Sequence, residues 1–299
     1  MANRTAFALN DQAERASRAL PPLLVEAERI AATVILGIHG RRRAGPGESF
    51  WQYRPYSFGD STARVDWHKS ARSDRVFIRE NEWEAANTLW LWASSAPGME
   101  FRSDLATTTK RERADLIVLA LASLALRAHE RVGLIGSPDG PGHSRAILLG
   151  LARRLIAGDG MALPRFERPP RHASAVLVGD FLEPAEEIAS ALTPMAEAGI
   201  AGHLVQVMDP AEETLPWTGR TEFKAVTGPL RALAGKAENL RQPYGERLAR
   251  HRGELRDLCS GLGWTFNLHR TDMAPAAALL HLHQLIAGNR DRRAGGFIR

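Results

Sequence analysis

The sequence predicts an α/β fold: a doubly wound, mainly parallel sheet with an N-terminal helix and a small β/loop addition. Three observations predict it. Short apolar runs at 88–93, 132–136, 173–178, 201–208 and 264–268 alternate with segments of helical periodicity, the pattern of repeated βαβ units. Thr88-Leu89-Trp90-Leu91-Trp92-Ala93 is apolar on both faces, as a strand covered by helices on two sides must be. The run 116–126 is the most apolar in the chain, yet far short of the roughly 20 residues a bilayer requires, so it reads as buried helix.

In chain order, 11–37 reads as a helix interrupted near Pro21-Pro22, with Leu23, Leu24, Ala27, Ile30, Ala31, Val34 and Ile35 on one face. Arg41-Arg42-Arg43 and the glycine-bearing turn after them lead into a segment dense in aromatics. The stretch 75–80 alternates like a half-exposed strand. Helices are expected at 110–131, 144–157, 184–198, 242–262 and 275–287, and 221–226 is expected to lie near a hairpin. Proline and arginine make 161–172 a loop. This divides the chain into an N-terminal helical segment (1–37), a β/loop element (38–84), the α/β body (85–288) and a loose basic tail (289–299).

Composition narrows the class. A chain of 299 residues, 44% hydrophobic and 24% charged, can bury a core as a soluble protein does. The single Cys259 excludes an intramolecular disulfide framework. No leader or membrane span is expected, so the predicted location is the cytoplasm. The net charge is +5, and only four of the 39 basic residues are lysine. Arginine suits carboxylate, phosphate or aromatic partners. An arginine-rich nucleic-acid or anionic-surface binder, using Arg41–Arg43 with Arg290, Arg292 and Arg293, is therefore one function class.

The run from Arg54 to Arg72 combines Tyr56, Phe58 and Trp67 with charges of alternating sign, Arg54, Asp60, Arg64, Asp66, Lys69 and Arg72. Aromatic bodies and Arg–Asp pairs bring fixed geometry. The segment reads as an ordered element, either facing a partner or bracing the N-terminal portion; a plain surface turn accounts for Gly59 and Asp60 but not for the aromatics. Gly47-Glu48-Ser49-Phe50, Arg54-Pro55-Tyr56, Gly59-Asp60, Arg64-Val65-Asp66-Trp67 and Ser70-Ala71-Arg72 resemble the signature of the bacterial family called domain of unknown function 58. Asp209-Pro210-Ala211-Glu212-Glu213 followed by Leu215-Pro216-Trp217-Thr218-Gly219 resembles a later block of the same family. The resemblance implies a fold like the von Willebrand factor type A domain and a MoxR-type AAA+ ATPase as partner, with the client open. The signature residues Arg54, Tyr56, Gly59, Asp60, Arg64, Asp66, Trp67 and Arg72 are then the candidates for contact.

The type A domain carries a metal-ion-dependent adhesion site built on Asp-x-Ser-x-Ser after its first core strand. The corresponding positions here are Trp92-Ala93-Ser94-Ser95-Ala96, with Asp180 at the remote acidic position. Hard divalent cations need several oxygen ligands; Trp92 and Ala96 supply none, leaving Ser94 and Asp180. The expectation is a degenerate site without bound metal and without any other cofactor. Ser94 and Ser95 otherwise read as N-caps of a following helix and Asp180 as a cap or turn residue.

No enzyme is announced. Ser94 lacks the flanking glycines of a nucleophile elbow. His281 and His283, two apart on a helix, point to different faces and cannot chelate together. His68 has no identifiable partner, and Cys259 lies on the apolar side of its helix. The expected function is a non-enzymatic protein-interaction module.

Overall fold

The computed structural model describes residues 22–35, 52–55, 70–72, 76–80, 88–166, 173–226, 229 and 231–295. The chain forms two compact units, His39–Ala86 and the remainder, Met1–Ile38 with Asn87–Arg299. In the smaller unit, β1 (Gln52–Pro55) pairs antiparallel with β2 (Phe77–Glu80), Tyr53 opposite Arg79. Pro55 donates no ladder bond and closes its strand.

The larger unit contains five parallel strands, β3 (Thr88–Ala93), β4 (Arg131–Leu134), β5 (Ser174–Gly179), β6 (Ala201–Met208) and β9 (Thr265–Arg270). They lie in the order β4-β3-β5-β6-β9, and a separate antiparallel hairpin joins β7 (Thr221–Lys224) to β8 (Arg231–Ala234). The chain steps from β3 to one neighbour, β4, and returns past β3 to β5 on its other side. Strand order therefore reverses between β3 and β5, and the crevice beyond their carboxyl ends is where such sheets bind ligands.

Helices cover both faces. A helix over 22–35 (α1), α2 (Lys110–Arg127), α3 (Ala146–Ala157) and α7 (Pro275–Gly295) bury Ala31, Ile117, Leu151 and Leu282 on one side, against Leu89, Leu91, Val176 and Val205. On the other side, α4 (Ala185–Glu197) and α6 (Arg241–Gly261) bury Ile188, Leu192, Leu255 and Cys259 against Trp90, Trp92, Leu177 and Leu204. Each face of β3 thus meets its own helical layer, which is why its six residues show no polar alternation. Two indoles lie flat on strands where glycine makes room. A Cβ on Gly133 would stand 2.7 Å from the Trp90 ring, and one on Gly202 would stand 2.0 Å from that of Trp264.

The doubly wound arrangement follows the expected one, with shifted ends. The helix expected over 110–131 stops at Arg127, because His129 takes a left-handed conformation (φ 58°) and the Glu130 N–H turns back to the Ala125 carbonyl. Glycine normally marks such a stop, so the sequence carried no cue. The last helix runs beyond 287 to Gly295, since Arg and Ala favour helix over the loose tail that glycine and charge suggested. No helix among the described residues is long and apolar enough to cross a membrane.

Candidate functional site

Three strand ends and one helix start converge at the crevice. Lys110 opens α2, held there by a capping box in which the Thr109 hydroxyl accepts from the Glu112 N–H and the Glu112 carboxylate accepts from the Thr109 N–H. The Lys110 side chain is 1% exposed, and its ammonium donates to Asp180 Oδ2 at 2.9 Å and Glu212 Oε1 at 2.7 Å. Asp180 follows β5; Glu212 lies in α5 (Pro210–Thr214), the short helix after β6. Burial alone would push the lysine pKa down, but the two carboxylates outweigh it and hold the ammonium above its ordinary value. Burial pushes the Glu212 carboxyl up, partly opposed by the same ammonium.

The surrounding polar groups extend this contact across the sheet. Asp209, fully buried, caps α5 by accepting from the Ala211 N–H at 2.8 Å. It also accepts from the Ser103 N–H at 2.9 Å and the Ser103 hydroxyl at 2.5 Å. The Gln206 amide donates to the Asp180 carbonyl and accepts from Arg252 Nε, each at 2.8 Å. Arg252 pairs with Glu213, and Arg270 approaches the same carboxylate at 3.7 Å while pairing with Asp272 at 2.5 Å. Arg113, one helical turn past Lys110, donates to the Thr271 and Met273 carbonyls at 2.8 and 2.6 Å, closing the end of β9. Burial, with Glu212 and Glu213 nearby, pushes the Tyr244 phenol up to about 12. Two bulky residues hold left-handed backbone at the rim, Phe181 and Leu215, both at φ 45°. Such conformations persist only where the surroundings over-determine them.

The predicted metal positions are accounted for one by one. Trp92 is 3% exposed and turns into the core beneath α4, its ring 6.1 Å from that of Phe181. It also walls a small cleft of about 160 Å³ with Ser95, Ile135, Ser137 and Asp159. Ala96 brings only a backbone N–H, directed at the Ser94 hydroxyl (3.4 Å). That hydroxyl in turn donates to the Met161 carbonyl at 3.2 Å. Asp180 holds Lys110. These residues do not fit a divalent cation as they stand, because the one carboxylate among them already carries a cation. Among the described residues no cluster of three or more His, Cys, Asp or Glu could hold a metal ion.

Two readings of these residues change. Ser94 and Ser95 cap no helix: the 3-10 turn Pro97–Glu100 has Ala96 at its N-cap with no side-chain bond. Ser95 instead ties down the loop after α3, donating to Asp159 Oδ1 at 2.7 Å and accepting from the Gly160 N–H at 2.9 Å. Asp180 is an ion-pair partner, and Pro184 takes the cap position of α4. Of the signature residues, Arg54 lies in β1 and Arg72 in an exposed turn. Tyr56, Gly59, Asp60, Arg64, Asp66 and Trp67 lie outside the described residues.

Lys110, Gln206 and Arg252 were not singled out in the sequence as site residues, although Lys110 left a trace, and Glu213 appeared only within the later family block. Lys110 and Arg111 sit in the first turn of α2, where the helix dipole disfavours positive charge. A rare lysine at that end of a helix whose middle, 116–126, is apolar points to a buried anion opposite it.

Comparison with known proteins agrees with the resemblance. A family model described as "Protein of unknown function DUF58" matches residues 52–254. Uncharacterized proteins of Mycobacterium bovis and Mycobacterium tuberculosis are 24% identical over 257 residues, covering 80% of this chain and 80% of theirs. Among solved structures, the conserved hypothetical protein BatB of Bacteroides thetaiotaomicron matches at 12% identity and a TM-score of 0.38, over 68% of this chain and 99% of that one. An uncharacterized membrane spanning protein of Vibrio fischeri matches at 14% identity and a TM-score of 0.17, over 67% and 96%.

Proposed function

The chain belongs to the DUF58 family, proteins of unknown function, and we propose that it is a non-enzymatic protein-interaction module. In this reading it is a type A-like domain with a degenerate adhesion site that works with a MoxR-type AAA+ ATPase on client proteins. The observation that carries the reading is the Lys110 ion pair with Asp180 and Glu212. It fills the place where this kind of sheet binds ligands with side chains of the chain itself. What the carboxyl end offers outward is a braced surface. The β7–β8 hairpin, reached through α5, exposes Leu233 and Val226 beside Lys224 and Arg231. Exposed apolar side chains rimmed by charge are the ordinary make-up of a contact surface. On the 39–86 unit the signature residues Arg64 and Asp66 are the proposed second contact.

The test is capture of the purified ATPase on the immobilised full chain, with ATP, ADP and no nucleotide compared. Retention that depends on nucleotide, weakened by Arg64→Ala or Asp66→Ala with unchanged melting temperature, is the expected result. No retention in any nucleotide state, with both proteins folded, would refute the partnership.

A further inference from the structure

We infer that Lys110 is the tethered resident of a cation site, and that its removal opens a site for one hard divalent ion held by Asp180 and Glu212. The inference needs no partner protein and stands apart from the interaction reading. The two carboxylates converge on one point, at 2.9 and 2.7 Å from the ammonium nitrogen. Calcium–oxygen distances run about 2.3–2.6 Å, so an ion at that point requires only a few tenths of an ångström of contraction. Both residues have anchors besides the lysine: the other Glu212 oxygen, Oε2, accepts from the Asp209 N–H at 3.2 Å, and the Asp180 backbone carbonyl accepts from Gln206 at 2.8 Å.

Charge supports the same assignment. With Lys110 present, the cluster of one ammonium and two carboxylates carries one net negative charge. Without it, the buried Asp180 carboxylate and the half-buried Glu212 carboxylate face each other across the space the side chain left, and a single divalent cation neutralises both. Placing an ammonium in the first turn of α2 opposes the helix dipole, a cost accepted only where the anions opposite need a cation. Because that cation is covalently attached, the crevice holds one state whatever the metal supply, and its surface is not gated by divalent ions.

Wild type, Lys110→Ala, Lys110→Met and the double variant Lys110→Ala/Asp180→Asn are titrated with Mn²⁺ and followed by calorimetry and melting temperature. Wild type is expected to show no saturable shift. Lys110→Ala should melt lower in EDTA, bind one Mn²⁺ per chain and recover most of the lost melting temperature, an effect absent in Lys110→Met, whose side chain fills the space, and in the double variant. Saturable binding to wild type, or no binding to Lys110→Ala, overturns the inference. Should Lys110→Ala fail to fold in EDTA, its refolding in millimolar Mn²⁺ is decisive: recovery supports the site, and failure there as well overturns it.

Discussion

At the residue scale, three buried titratable groups set how stability depends on pH. Asp115, in α2 and 6% exposed, has its carboxyl pushed up to about 7, by burial first and only partly opposed by Arg111. Its folded pKa lies above the unfolded value, so the folded form binds the proton more tightly, and stability falls as pH rises from about 4 to about 7. His203 and His269 do the opposite. Burial holds each down to about 4, aided by the charges of His281 and Arg113 respectively. The unfolded chain then binds protons that the folded one refuses, and stability is lost as pH falls from about 6.5 to about 4. Asp115→Asn should therefore raise stability at pH 8 by on the order of 2 kcal/mol. It should also make the loss between pH 6.5 and 4 steeper than in wild type, since the opposing carboxyl is gone. Urea unfolding of both proteins at pH 4, 6 and 8 checks both signs; equal slopes would show that Asp115 is not buried as its protonated acid. Cys259, its thiol pushed up to about 12 by burial, should stay inert to alkylation in the folded protein.

At the scale of elements, five residues of α5 carry more than their length suggests. Asp209 caps the helix and takes both donors of Ser103, Glu212 pairs with Lys110, Glu213 with Arg252, and Arg241 donates to the Leu215 carbonyl at 3.1 Å. The hairpin begins directly beyond it. Asp209→Ala removes a cap and strands a part-buried N–H, together worth about 2–4 kcal/mol. Hydrogen exchange across 221–234 should accelerate more than across β5, because the hairpin hangs on this joint while β5 is paired on both edges. Uniform acceleration would place the loss in the core instead. The joint was half legible. Asp209-Pro210-Ala211-Glu212 spells a capping box with proline at its first turn, readable from four residues. That Ser103, 106 positions away, would supply the other donors was not, because no local pattern records which loop a βαβ crossover brings alongside. The same limit hid Lys110 from Asp180: each end of the bond has a plain local meaning, a helix start and a strand end, and only the reversal of strand order between β3 and β5 sets them face to face.

At the scale of the whole molecule, the basic balance invites a phosphate-binding reading, and the distribution of charge among the described residues argues against it. Nucleic-acid affinity comes from cations free to replace condensed counterions, several on one face. Here many described arginines are already committed to carboxylates: Arg111 to Glu100, Arg145 to Glu28, Arg154 to Asp139, Arg231 to Glu222, Arg252 to Glu213 and Arg270 to Asp272. These pairs are spread over α1, both helical layers and the hairpin, so they outline no continuous basic stripe. Surface pairs of this kind add little to stability, yet each lowers the charge its arginine presents to a polyanion. A net charge of +5 on 299 residues then acts as a diffuse field, which salt screens within about 10 Å at 0.1 M. Gel-shift titrations of duplex and single-stranded DNA at 20 mM salt should consequently show at most weak retention that vanishes by about 150 mM, without discrete complexes. A sharp complex that survives physiological salt would mean that free arginines gather on one surface after all, and Arg41, Arg42 and Arg43 would be the first to replace with alanine.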